Sequence, residues 1–266
     1  MRTEVLFESL RERDRSIIWW TLGLVLLIGV NVAFYPSVRD DAALSDYAKD
    51  LPESLRALFA GGELDLASPI GYLNSQVFAL TAPLVLFIFA IGAGSGAVAG
   101  EEEKGMLDLL LAHPLRRRDY VVQRFLALAV LVGALGIALL AAVALGSAAV
   151  NLEIGFDRLV AATVSVTLLA LFVGSLSLAI GAIVPGRARA IAISAGVAVA
   201  AWLLDGLGQA VGPLEPWRPL SPYYQALGHN PLRNGASWSG WAILVVATLT
   251  LAAAGALGLG RRDVRQ

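Results

Sequence analysis

Between two long uncharged runs the chain carries Glu101-Glu102-Glu103-Lys104-Gly105-Met106-Leu107-Asp108-Leu109-Leu110-Leu111-Ala112-His113-Pro114-Leu115-Arg116-Arg117-Arg118-Asp119-Tyr120, acids first and bases last. The flanking runs, Leu66 to Gly100 and Leu126 to Leu152, contain no Asp, Glu, Lys or Arg. Each is long enough for a helix to cross about 30 Å of hydrocarbon, which takes roughly 20 mostly apolar residues. Ser16 to Val38, Leu159 to Gly186 and Asn234 to Gly260 meet the same requirement. A further run, Ala190 to Leu204, is short, but continuing past Asp205 to about Val211 gives a normal span with one acid near its end. No polar stripe at helical spacing marks any of these runs, so a soluble helical bundle is excluded.

Composition agrees. Of 266 residues, 57% are apolar and 15% charged, with a mean hydropathy of +0.70, whereas a soluble domain carries about 25% charge. The reading is an all-α polytopic membrane protein, one transmembrane domain over 1–266 with spans near 16–36, 70–100, 124–150, 159–184, 189–211 and 238–260. Pro83 is a candidate kink in the second span. The absence of cysteine excludes disulfides, thiolate metal sites and cysteine nucleophiles, and two histidines leave little for imidazole chemistry.

Orientation follows from the placement of positive charge, not from its sum. Of the 20 lysines and arginines, all but Arg39, Lys49, Arg56, Arg158, Arg218 and Arg233 fall on the side that holds both termini. That side is expected to be cytosolic, giving a multi-pass protein of a bacterial cytoplasmic membrane with both ends inside. Thr3 to Arg15 places Val5, Leu6, Ser9 and Leu10 on one side, as an interfacial amphipathic helix would. In the first outer loop, Pro36 to Pro69, the run from Pro52 to Phe59 reads as a short surface helix ended by Gly61 and Gly62. The last outer loop, Gly212 to Ser237, holds Pro213, Pro216, Pro219, Pro222 and Pro231 beside Trp217, Tyr223 and Tyr224. It is expected to form short elements that dip into the outer interface.

Met106, Leu107, Leu110 and Leu111 have helical spacing, and Pro114 disfavours helical geometry at His113, so a short helix is expected to end there. Glu101 to Glu103 suit its positive end and Arg116 to Arg118 lie beyond its negative end. The arginines alone would simply obey the positive-inside rule. An exposed apolar ridge hung on two membrane helices, however, needs something cytosolic to cover it.

These residues, from Glu101 to Arg117, resemble the cytosolic loop of ATP-binding-cassette transporter permeases of the type-2 membrane-subunit (ABC-2) family. The amphipathic N-terminal segment, the six spans, the Ser68-Pro69-Ile70-Gly71-Tyr72-Leu73 start of the second span and the proline-rich last outer loop resemble that family as well. The resemblance implies a pore-forming permease subunit of an exporter that works as a dimer, with a second copy or a paralogue, on two cytosolic ATPase subunits. The loop would be a coupling helix seated in a cleft of the ATPase. Glu101, Glu102, Glu103, Lys104 and Gly105 would mark its start, Leu107, Leu110 and Leu111 its contact ridge, and Pro114, Arg116, Arg117 and Arg118 its exit. ATP and Mg would sit on the partner. This chain has no G-x-x-x-x-G-K-[ST] motif, and no cofactor, metal, catalytic residue or nucleic-acid partner is assigned to it.

An intramembrane enzyme and a secondary transporter are the alternatives. The first calls for a set of acids, or of serine and histidine, at one membrane depth, but His113 and His229 fall on opposite sides and Asp205 stands alone. The second calls for interrupted helices or an ion relay. Asn31, Asn74, Ser75 and Gln76 are polar groups that could line a translocation path, though such groups commonly bond their own helix backbone. Gly92, Gly96 and Gly100 recur every four residues and offer a small face for close helix packing.

Overall fold

A computed structural model describes residues 14–39, 68–106 and 116–261, together with Arg11, Pro52, Leu55, Asp65 and Leu66. Among the described residues, six helices are long and apolar enough to cross a membrane. In chain order α1 is Asp14–Arg39 and α2 is the irregular run Pro69–Glu103; α3 is Arg117–Ala149, α4 Phe156–Ile183 and α5 Arg187–Ala210. A 3-10 segment, Gly212–Leu220, leads to α6 (Pro222–Leu227), α7 (Pro231–Asn234) and α8 (Trp238–Arg261). The all-α character follows from the solvent: hydrocarbon offers no hydrogen bonds, so the backbone must satisfy itself within each crossing segment.

The two ends of the bundle differ. One gathers Glu103, Arg117, Arg118, Arg187 and Arg261 and is called here the basic end; the other holds Trp217, Tyr223, Tyr224 and Trp238 and is called the aromatic end.

The spans divide sharply by burial. About 61% of the most apolar window of α2 and of α4 is buried, against 17% for α1, so α2 and α4 form the centre and α1 lies outside. α1 presents one narrow stripe, Leu24, Ile28, Val32 and Tyr35, at successive helical turns toward α3, and leaves Ile18, Leu22, Leu26 and Phe34 exposed for lipid. It continues as helix through Pro36 to Arg39, so the first loop starts later than Pro36, where the sequence reading put it. α3 is already helical at Arg117, seven residues before the expected span near 124–150, because charged residues are tolerated in turns that leave the hydrocarbon.

Close approach of α2 to α4 rests on Gly94 and Gly174. A Cβ on Gly94 would lie 2.2 Å from the carbonyl oxygen of Gly174, and a Cβ on Gly174 would lie 3.2 Å from that of Ala90. The backbones therefore touch, and Ser177 Oγ donates to the Ile91 carbonyl across the same seam at 3.1 Å. Without a hydrophobic drive between helices in lipid, such contact is what holds them.

α2 is not one regular helix. π-helical turns occupy Asn74–Phe78 and Gly96–Gly100, and the dihedrals of Leu80 (φ −138°, ψ −54°) interrupt it before Thr81. Pro83 has no N–H to offer the carbonyl of Ala79 one turn back. That carbonyl instead accepts from the Tyr223 hydroxyl, carried in by α6. Ser221 places α6: its Oγ accepts from the amides of Tyr223 (3.1 Å) and Tyr224 (3.4 Å) and donates to the Ala201 carbonyl of α5 at 2.7 Å. The loop after α5 thus turns back into the bundle in three short elements, with Tyr223, Ala226 and Leu232 buried. Of the expected N-terminal amphipathic helix only Arg11 and residues from Asp14 onward are described. Of the expected surface helix only Pro52 and Leu55 are, the Leu55 amide donating to the Pro52 carbonyl at 2.9 Å.

Two outcomes check this architecture in thermal unfolding of the purified chain in detergent. Gly94→Ala should destabilise by about 1–3 kcal/mol through overpacking, whereas Gly92→Ala, with nothing within 4 Å of its added Cβ, should not; equal behaviour of the two would contradict the seam. Tyr223→Phe should cost about 1–3 kcal/mol by orphaning a buried carbonyl. That cost should shrink in a Pro83→Ala background, where a new N–H can reach Ala79; an unchanged cost there would show that the hydroxyl serves another partner.

Candidate functional site

Polar groups collect at both ends of the bundle. At the basic end, α2 closes with the turn Glu101–Glu103, and Gly105 at φ 68° takes the left-handed conformation that only glycine adopts without cost, its amide donating to the Glu102 carbonyl at 2.9 Å. Glu101 is buried and pairs with Lys104 Nζ at 3.4 Å, while Glu102 is half-buried. Glu103 reaches sideways: its Oε1 accepts from the backbone amide of Arg187, the first residue of α5, at 2.7 Å. The acids therefore sit on the last turn of α2, and one of them serves the start of α5.

The π-helical turn just before them is held by α3. Tyr120, fully buried, donates its hydroxyl to the Ala97 carbonyl at 2.9 Å. Arg124 Nε donates to the Tyr120 oxygen at 3.0 Å, and its guanidinium lies 5.2 Å from the Tyr120 ring centroid. A π-helical turn widens the helix and leaves such carbonyls available, so the aromatic hydroxyl and the cation lock the root of α2 to α3. Of the arginines on the return strand of the loop, Arg116 is exposed in extended geometry (φ −69°, ψ 134°), Arg117 begins α3, and Arg118 lies along α8 beside Gly260. Met106 is helical and exposed. Leu107, Leu110, Leu111 and Pro114, and with them the expected coupling helix, lie outside the described residues, as does His113.

At the aromatic end, Asp205 of α5 is buried and accepts from Arg218 Nε (3.2 Å) and Nη2 (3.0 Å) of the 3-10 segment. The Arg218 guanidinium is also stacked 5.0 Å from the centroid of Tyr224. The pair borders a cavity of about 50 Å³, reached also by Asn74, Gln209 and Asn230, which is room enough for water. Beside it, sharing Trp202 and Tyr223, an apolar groove of about 200 Å³ runs between α2 and α5 along Leu84, Phe87 and Val199. Burial, and then the Asp205 charge, push the Tyr223 phenol well above its ordinary range, so it remains a donor to Ala79 at any physiological pH.

The four candidate path residues separate. Asn74 lines the polar cavity. Ser75 Oγ is satisfied by its own helix, with the carbonyls of Gly71 (2.9 Å) and Tyr72 (3.1 Å). Asn31 Nδ2 donates to the Leu27 carbonyl at 2.8 Å, and its carbonyl accepts from Tyr72 Oη at 2.7 Å. Gln76 is exposed. Among the glycines, Gly92 faces open space and Gly100 faces the Arg187 stem, while the tight contact within this chain falls on Gly94, off the four-residue series. Tyr120, Arg124, Arg187 and Arg218 were missed as site residues because in sequence each arginine counts only toward topology; an unexplained helix start at Gly186-Arg187, without a Ser, Thr, Asp or Asn cap, was the one available signal.

The described residues thus form a bundle of six apolar helices with a charged loop root at one end and a re-entrant aromatic hairpin at the other. A family model described as ABC-2 family transporter protein matches residues 5–264. The chain belongs to that family and is a multi-pass permease subunit of an ABC transporter. No curated protein matches it.

Removing either partner of the Asp205–Arg218 pair should lower stability by on the order of 3 kcal/mol, since the remaining charge is left buried without compensation. In a double-mutant cycle, Asp205→Ala with Arg218→Ala should cost clearly less than the sum of the single changes. Strict additivity in thermal unfolding would show that the pair contributes no coupling.

Proposed function

We propose that this chain is the membrane-spanning subunit of an ATP-driven exporter, assembled as a dimer of permease chains with two cytosolic ATPase subunits that bind ATP and Mg. The basic end faces the cytosol, both termini with it, and the membrane is the cytoplasmic membrane of a bacterium. The chain itself carries out no chemistry.

The observation that carries this reading is the root of the loop between α2 and α3. An acidic last turn, a left-handed Gly105, an exposed Met106 and a return through Arg116 into α3 all lie at the basic end, in a chain whose family match is near full length. Physically this is a place to deliver work. Both sides of the loop join directly to spanning helices, and the Tyr120–Ala97 hydrogen bond makes the two roots one rigid unit, so a push on the loop becomes a rigid-body displacement. Leu107, Leu110 and Leu111 form the ridge that the ATPase cleft covers, and the flanking charges set its register. An intramembrane enzyme is not favoured: Asp205 is engaged by Arg218, whose guanidinium is itself stacked on Tyr224, and is not poised beside a nucleophile.

Purification of the intact chain from its native host under mild detergent should bring down an ATPase with a Walker motif. A variant lacking residues 106–112 should insert in the membrane in normal amount but lose that partner. Repeated recovery of the full-length chain without any ATPase, or retention of the ATPase by the deletion variant, would count against the assignment.

A further inference from the structure

The start of α5 has no cap of its own. Gly186 stands in the N-cap position at φ 104° and ψ 112° and has no side chain to accept a hydrogen bond from the first turn. Glu103 takes that role from 84 residues away, at the end of α2, with a 2.7 Å hydrogen bond to the Arg187 amide. A carboxylate at that point also meets the positive end of the α5 dipole.

Two further contacts follow the same line. The Arg187 stem runs back along α2, where a Cβ on Gly100 would lie 3.5 Å from its Cδ. A Cβ on Gly181, near the end of α4, would lie 3.3 Å from Ala99 of α2 and 3.8 Å from Ala190 of α5. Small residues thus bring the end of α2, the end of α4 and the start of α5 together, and Glu103 supplies a polar tie among them. Between its two ends α5 is lightly held, with about 33% of its most apolar window buried. Two residues beyond Glu103, Gly105 marks where the chain leaves α2.

We propose that Glu103 is a positioning residue that straps α5 to the root of the loop, so that displacement of the loop moves α5 together with α2 and α3. The coupling part of this proposal rests on the reading of that loop given above; the strap itself does not. Glu101 is engaged by Lys104 within its own turn, whereas the third acid of the run reaches α5 directly.

The natural chain has no cysteine, so introduced cysteines carry the only labels. In the purified chain in lipid nanodiscs, spin labels at Met106→Cys and Ala188→Cys should show a narrow dipolar broadening. Glu103→Ala should abolish it, and Glu103→Gln, whose amide oxygen still accepts from the Arg187 N–H, should retain it. Identical spectra for Glu103→Ala and its parent would overturn the strap. In the complex with its copurified ATPase, labels at Ala188→Cys and Arg261→Cys should report a shift on addition of ATP and vanadate that is lost in Glu103→Ala and restored in Glu103→Gln. An undiminished shift in Glu103→Ala would overturn transmission through the strap. Absence of any shift in the parent with ATPase bound would overturn the coupling reading, while the nanodisc measurement still decides the strap.

Discussion

Hydrocarbon supplies no water, and that single fact decides where this bundle is joined. Wherever a helix in the membrane departs from regularity, a backbone group loses its partner and needs another from the protein. In α2 the proline at 83 strands the Ala79 carbonyl, and Tyr223 reaches in from α6 to bond it. Where α2 turns π-helical, the Ala97 carbonyl is taken by Tyr120 of α3. The Ala201 carbonyl of α5 receives a second donor from Ser221, and at the exposed basic end the uncapped first amide of α5 is taken by Glu103 of α2. Each irregularity is therefore also a cross-link between elements, and the tertiary structure is fastened at its helix breaks.

That pattern explains why some of the molecule is legible in sequence and some is not. Five of the six crossings follow from charge-free length alone, the other needs continuation past Asp205, and Pro83 was visible as a break. The π-helical turns at Asn74–Phe78 and Gly96–Gly100 were not, because they are built from ordinary helix residues and leave no mark on the pattern of charge or hydropathy. Pro36 reads as a helix end, yet α1 runs on to Arg39. The glycine series at 92, 96 and 100 is readable in sequence as a small helix face, but which face meets α4 depends on rotation about the helix axis, and the close contact with α4 falls on Gly94.

The polar site was half legible for the same reason. Asp205 stands out as the only acid within a span, whereas its partner Arg218 reads as one loop charge among several, since nothing in the spacing says that the 3-10 segment folds back. Glu103 and Arg187 both belong to expected basic-end segments, but their 84-residue separation hides the hydrogen bond. Asn31 and Ser75 illustrate the opposite case: amides and hydroxyls in spans bond their own helix often enough that their presence says little about a path.

α5 is thus held by charge at both ends and by apolar contact between, and the two joints differ in strength for a physical reason. Opening the buried Asp205–Arg218 pair would strand two charges where solvent is scarce, at a cost of several kcal/mol. Opening the Glu103–Arg187 hydrogen bond would release exposed groups that water satisfies at once, at about 1 kcal/mol. A rod fixed firmly at one end and lightly at the other pivots about the firm end, so the Asp205–Arg218 pair is the fulcrum and displacement is largest at Arg187. A light joint suits that place: on the coupling reading it lets α5 follow small movements of the loop while yielding to large ones before the buried pair is broken.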